Sequence, residues 1–370
     1  MSCPSPTVGR PTANPLAAGA YHGHSTGTWR AAVVATWTAV CTNVIQRRYQ
    51  HRAPAYGASP TGRLVDWMLW PSPALPTVEC MDVHGQRLPC GPRERLGAAL
   101  FAKVAGPDGA AVRRRIHQTP GPRWFTAERA IRTVHGDAAM FVGGLAALLV
   151  QSLHPAAMAA VSGHSGYRSD PWGRLQRTST FLAVTTFGTA EDARAAVERV
   201  CAVHARIRGT TPAGLVYRAD DPHLLAWVHA AETDSFLRAH QAYGAEPLDA
   251  AGCDAYVADM AEVGAALGVQ DPPRTRADLT AVVRSYLPEL ARTREAGDAA
   301  RFLLLHPPIP WPARPAHGAL AVAAVDLIAP EHRRLLGLPL PSLVTAAARP
   351  LGHAVVQTIR WALPAPGEAV

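Results

Sequence analysis

The sequence predicts an all-α protein with one multi-helix domain, and three observations carry that prediction. From about residue 90 onward, apolar residues recur at three- and four-residue spacing in successive segments, the period of helices with one face turned to a core. No stretch is rich in strand signals, and no internal repeat is present. Hydrophobic residues make up 48% of the 370, while the mean hydropathy is +0.01. Such a chain can bury a sizeable core without being apolar throughout.

Taken in order, residues 1–80 are rich in Pro, Gly, Ser and Thr and show no sustained period. They are expected to be a disordered or non-native extension. The run Ala31–Val40 is too short to span a bilayer. Leu96, Leu100 and Val104 share a face over Arg93–Gly106, which predicts a short helix. The basic, proline-punctuated stretch Val112–Pro122 reads as a loop, and Trp124–Val134 as a helix.

Ala138–Val161 is the most apolar stretch and is long enough to cross a membrane. Gln151, Ser152 and His154 interrupt it, however, and Pro155 breaks any helix there. It therefore reads as a buried core helix, with Gly143 and Gly144 permitting a close approach by another element or by a flat cofactor.

Thr189 then caps a helix running to Arg208, and Asp192 three residues on resembles a capping box. Ala193, Ala196, Val197, Val200, Cys201, His204 and Ile207 form its apolar stripe, and Gly209 is the expected terminator. The rest of the chain is expected to be organised around this helix. Asp221 with Pro222 opens another, and Asp249 opens one over Leu248–Gly268. One or two more are expected in Thr275–Glu295, with a bend at Pro288. Pro307–Pro315 is a rigid connector, and Ala316–Ile328 and Ser342–Leu363 complete the set, the last containing Pro350.

Composition narrows the function. The net charge of +8 comes almost wholly from arginine, spread through the chain, with Arg113–Arg115 as a run. No nucleic-acid-binding motif accompanies it, so nucleic acid is set aside as a partner; contact with an anionic membrane surface stays open. Six cysteines without C-x-x-C spacing suggest neither a zinc site nor a disulfide framework. They point to a reducing, cytoplasmic compartment. A phosphate loop, a G-x-S-x-G elbow and H-E-x-x-H are all absent.

His204 is the first candidate for chemistry. A neutral imidazole in an apolar stripe needs a carbonyl, a carboxylate or a metal as partner. Upstream, Arg174, Arg177 and Thr178 form R-x-x-R-T ahead of the apolar FLAVTTFG. Two guanidiniums and a hydroxyl can serve an anionic cofactor edge or dioxygen, or can be a solvated helix end. Cys201 is either a thiolate ligand or a small buried hydrophobe. His229 and His240 are further helical histidines. His229 with Glu232 resembles half of a di-iron carboxylate site, but no second E-x-x-H occurs. His154 faces a cavity or caps the broken turn, and His164 lies in a glycine-rich loop suited to a pocket wall.

R-x-x-R-T, the helix ending VCAVHARIRG, and YRADDPHLLAWVHA together resemble the catalytic domain shared by latex-clearing rubber oxygenases and MpaB-type oxygenases. The resemblance runs from near Trp124 to about Pro364 and includes HGDAAMFVGGLAALLVQSLHPAAMAAVSGHSGYRSDPWGRLQRT. It implies a catalytic domain over residues 90–364 with a globin-like helical core carrying haem b. In the rubber branch a histidine on the helix after R-x-x-K-T holds the iron, which makes His204 the metal ligand here. Arg174, Arg177 and Thr178 then lie near the opposite face as cofactor-binding and catalytic residues. The implied function is oxidation of a small apolar organic substrate by dioxygen or a peroxide.

Two departures stand out. Arg177 replaces the lysine of that branch and, being permanently charged, is no displaceable ligand. Between Glu128 and Glu191 the only carboxylates are Asp137 and Asp170, so an acid–base step falls to Asp170, His154 or His164. Two rival readings stay open: a non-catalytic haem- or lipid-binding helical protein, and a metal-free membrane-associated one.

Overall fold

The structure, a computed structural model, describes residues 80–81, 87–88, 91–166 and 168–363. The expected extension over residues 1–80 lies almost entirely outside them. Seven helices come first: α1 (Pro92–Ala105), α2 (Gly109–Gln118), α3 (Ala130–His135), α4 (Met140–Gln151), α5 (Pro155–His164), α6 (Pro171–Phe187) and α7 (Ala190–His204). Seven follow: α8 (Pro222–Tyr243), α9 (Ala250–Ala266), α10 (Arg276–Ser285), α11 (Arg294–Leu305), α12 (Arg314–Leu327), α13 (Pro330–Leu336) and α14 (Ser342–Ala362). The strands among the described residues form two antiparallel ladders, β1 (Cys80–Met81) with β2 (Arg87–Leu88), and β3 (Arg208–Thr210) with β4 (Val216–Arg218). The protein is all-α.

The centre is α8, not the helix that ends at His204. Ala230, Ala231, Ser235, Phe236, Leu237 and His240 are all buried, so α8 is enclosed over most of its circumference, with Arg238 left exposed. Helices α4, α9, α10, α12 and α14 pack around it. At Gly143 of α4 a Cβ would stand 2.9 Å from the Phe236 ring and 3.0 Å from the Ala239 methyl. This is the close approach that the glycine pair foretold.

Helix α4 gives way to α5 at Pro155 with a 107° bend, and among the described residues no single helix is long and apolar enough to cross a membrane. Val142, Leu145, Ala146 and Leu149 of α4 sit in the main core.

The hairpin α6–α7 lies to one side. Helix α6 packs mainly on α1, α2, α3 and α7, and α7 mainly on α6. Only the first half of the α7 stripe is buried, through Ala190, Ala193, Ala196 and Val197. Small residues remove little apolar area from water, whereas Trp227, Phe236 and Tyr243 give α8 the greater hold on the core.

Several local expectations need correction. Val112–Pro122 is mostly helix α2, because its arginines are good helix formers and its prolines come only after the end. The helix expected from Trp124 starts at Ala130. There the buried Asp259 carboxylate accepts from the Ile131 amide at 3.0 Å and from Arg129 Nε at 2.7 Å, supplying from α9 the cap that the local sequence lacks. Helix α7 ends at His204, and Gly209 lies in β3, where a Cβ would meet the Tyr217 hydroxyl at 2.5 Å. The Pro307–Pro315 connector holds a 3-10 turn at Trp311–Ala313 and runs into α12.

Candidate functional site

Thr189 caps α7 as expected, its hydroxyl accepting from the Asp192 amide at 3.1 Å. The Asp192 carboxylate does not reach back to complete a box. Arg115 of α2 takes it instead, at 2.7 Å. Helices α6 and α7 fold back on one another across Gly188 and Thr189. Arg174 lies about 14 residues before that turn and His204 about 15 after it, so at roughly 1.5 Å per residue both stand about 20 Å away. The R-x-x-R-T end of α6 and the histidine end of α7 thus both lie far from that turn.

His204 is half-buried. Burial lowers its pKa, with the Asp220 charge partly opposing, so the ring is neutral at neutral pH. Among the described residues neither ring nitrogen makes a hydrogen bond. Arg174 donates to the Ser165 hydroxyl at 2.9 Å. Arg177 and Thr178 are exposed. The Arg177 guanidinium pairs with Asp170 at 3.3 Å, also in water. Large apolar side chains are exposed beside these groups in the chain: Leu175 on α6, Val203 on α7, and Leu215 and Val216 in the β3–β4 hairpin.

The acid–base candidates are mostly committed to structure. Both Asp170 oxygens are engaged, one by the Gly173 amide at the cap of α6 and the other by Arg177. Asp137 accepts from the amides of Ala139 and Ala245 and from Arg360. His164 approaches the Tyr217 hydroxyl at 3.4 Å. Cys201 is half-buried, its sulfur 3.9 Å from the Leu267 carbonyl.

His229 is buried against Gly264 and its pKa is pushed down to about 4. Glu232, one turn on, is pushed up to about 7 by burial, with Gln151 as its hydrogen-bond partner. That shift marks Glu232 as an interior acid near neutrality, which its sequence context does not announce.

A second constellation sits where α4 breaks into α5. His154 at the break, His223 in the first turn of α8 and Glu289 in the 3-10 turn Leu287–Glu289 place one ligand atom each within 4.8 Å of one another. Trp227 and Tyr286 back it, their rings 6.4 and 6.3 Å from that of His154. Of the three, the sequence singles out only His154. His223 and Glu289 were missed, the only local signal being an imidazole directly after the D-P cap of α8.

No solved structure matches the chain, so the globin-like arrangement has no structural counterpart to rest on. Two relatives, the uncharacterized protein Rv2237 of Mycobacterium tuberculosis and the uncharacterized protein Mb2261 of Mycobacterium bovis, are each 31% identical over 185 residues. The match covers 45% of this chain and 67% of theirs. A family model described as "ER-bound oxygenase mpaB/B'/Rubber oxygenase, catalytic domain" matches residues 132–361. That span takes in α4 to α8, the R-x-x-R-T segment, His204 and the whole His154 corner, and the chain belongs to this family of oxygenase catalytic domains.

Proposed function

We propose that the chain is a haem b-dependent oxygenase of a small apolar organic substrate, using dioxygen or a peroxide, with His204 holding the iron. The observation that carries this reading is the state of His204: neutral, half-buried, and free of hydrogen bonds among the described residues, in a chain of an oxygenase family. A lone pair so placed would suit a ligand to haem iron. The donor set fits an amphiphilic porphyrin as well. Exposed Leu175, Val203, Leu215 and Val216 offer apolar contact, and Arg174 and Arg177 offer partners for carboxylates.

Haem bound there supplies the one-electron and dioxygen chemistry. The protein's own part is positional. Ser165 steadies the Arg174 guanidinium, which would hold a carboxylate of the cofactor. Arg177 and Thr178 present donors from the same face of α6 toward oxygen atoms that gain negative charge, and Asp170 fixes the Arg177 fork.

The test is the visible spectrum of protein produced with haem precursor supplied. A Soret band that disappears in His204→Ala is the expected result. A folded but colourless wild type overturns the reading. The exposure of Arg177 and Thr178 favours one rival, haem binding without turnover, in which Arg177→Ala leaves every measured property intact.

A further inference from the structure

We propose that His154, His223 and Glu289 form a binding site for a divalent first-row transition ion, separate from the His204 site. Two imidazoles and one carboxylate are the donor set of open three-ligand sites for zinc, iron(II) or cobalt(II). The spacing suits it. Ligand atoms about 2.1 Å from a shared ion stand roughly 3.0 Å apart at a right angle and 3.4 Å at the tetrahedral angle. Glu289 Oε2 lies 2.9 Å from His223 Nε2 and 3.6 Å from His154 Nε2. The remaining edge is within 4.8 Å.

A second observation points the same way. The His154 side chain is 8% exposed, and neither of its ring nitrogens has a hydrogen-bond partner among the described residues. The Glu289 oxygen at 3.6 Å is beyond hydrogen-bond reach. A buried imidazole with two orphaned nitrogens is costly, and an ion at Nε2 satisfies one of them.

The surroundings hold the ligands in place. The Tyr286 hydroxyl donates to the His223 carbonyl at 2.7 Å and stands 3.3 Å from His223 Nδ1. With an ion bound it accepts Nδ1–H there, which leaves Nε2 as the lone-pair nitrogen for the ion; without one, Nε2 carries the proton toward Glu289. The Ala291 amide donates to the Leu153 carbonyl at 2.9 Å, fastening the Glu289 loop to the residue before His154. Asp221, which caps α8 through the His223 amide, adds a second negative charge close by. His223 and Glu289 are 58% and 45% exposed, so an ion held against buried His154 keeps open positions toward solvent.

The experiment titrates cobalt(II) into the full, tag-free, haem-loaded chain after chelator treatment, with X-ray absorption at the cobalt edge, which haem iron does not obscure. One equivalent per chain with imidazole nitrogen in the coordination shell is expected. Affinity is expected to fall roughly tenfold or more in both His223→Ala and Glu289→Gln. Both residues are exposed, and unchanged melting temperatures verify that the fold survives. His204→Ala is expected to retain the cobalt. No stoichiometric binding, the outcome if the corner is an imidazolium–carboxylate pair, overturns the proposal. So does binding that both variants leave unchanged.

Discussion

The two histidine sites proposed for this protein are built in opposite ways. The His204 site comes from one hairpin: Arg174, Arg177, Thr178 and His204 lie on adjacent helices joined by two residues. It is peripheral and largely open to water. The His154 corner draws its residues from the α4–α5 break, the start of α8 and the turn after α10. It is backed by the main core, through Trp227 and Tyr286. A contiguous site can be read as a motif but depends on something else to shield it, while in the converging site the packing that creates it buries one ligand, His154, and leaves His223 and Glu289 exposed.

The strongest way to break this comparison is to exchange the losses. His204→Ala is expected to abolish the Soret band and oxygen uptake while leaving cobalt binding intact, and His223→Ala to do the reverse. Spectra and metal stoichiometry of the two variants check this. If either substitution removes both properties, the sites are one and the contrast fails.

A stability effect of the next size tests which region governs folding. Asp137 joins the start of α4, the loop after α8 and α14, through Ala139, Ala245 and Arg360. Asp137→Ala strands the largely buried Arg360 guanidinium, two of whose nitrogens already lack partners. The expected cost is about 3–5 kcal/mol, read by denaturant unfolding. Asp192→Ala on the α6–α7 hairpin removes a pair with the exposed Arg115 and is expected to cost about 1 kcal/mol or less. Equal losses would make the hairpin as central as α8.

The core is also where pH acts. Glu232 titrates at about 7 in the fold against about 4.3 when unfolded. Between those values the native state binds the extra proton, so stability falls as pH rises, and the penalty is complete above 7. Glu232→Gln is therefore expected to be neutral near pH 4 and stabilising at pH 8 by up to about 3 kcal/mol. His229 and His135, pushed down to about 4 and about 3 by burial, act on the acid side. Their neutral forms contribute stability above about 6.5 that is lost as pH falls through those values. Unfolding of wild type and Glu232→Gln across pH 4–8 checks both limbs, and a variant whose stability tracks wild type at pH 8 refutes the alkaline one.

What was legible in the sequence divides along the same line. Caps at Thr189, Asp221 and Asp249 and the break at Pro155 depend on near neighbours, and each formed as read. The start of α3 was not legible because its cap comes from Asp259, far along the chain. The burial of α7 was overestimated because periodicity reports a face without saying what covers it. Of the corner, only His154 could be singled out. Its partners became visible once α8 and the 3-10 turn were packed against the α4–α5 break.

The smallest expected effect is the sharpest on the hairpin. Arg177 is 64% exposed and pairs with an exposed Asp170, so Arg177→Ala is expected to change stability by less than about 1 kcal/mol. In water such a donor contributes little to charge stabilisation, and substrate oxidation is expected to slow by about tenfold at most, with haem content unchanged. A donor sealed from solvent is worth far more, about 10²–10³-fold in turnover. Steady-state oxygen uptake by Arg177→Ala and by Arg177→Lys separates the cases. A loss of that larger size, partly rescued by lysine, would mean that the loaded enzyme encloses this end of α6. The two sites would then differ in how they become shielded, and no longer in whether they are.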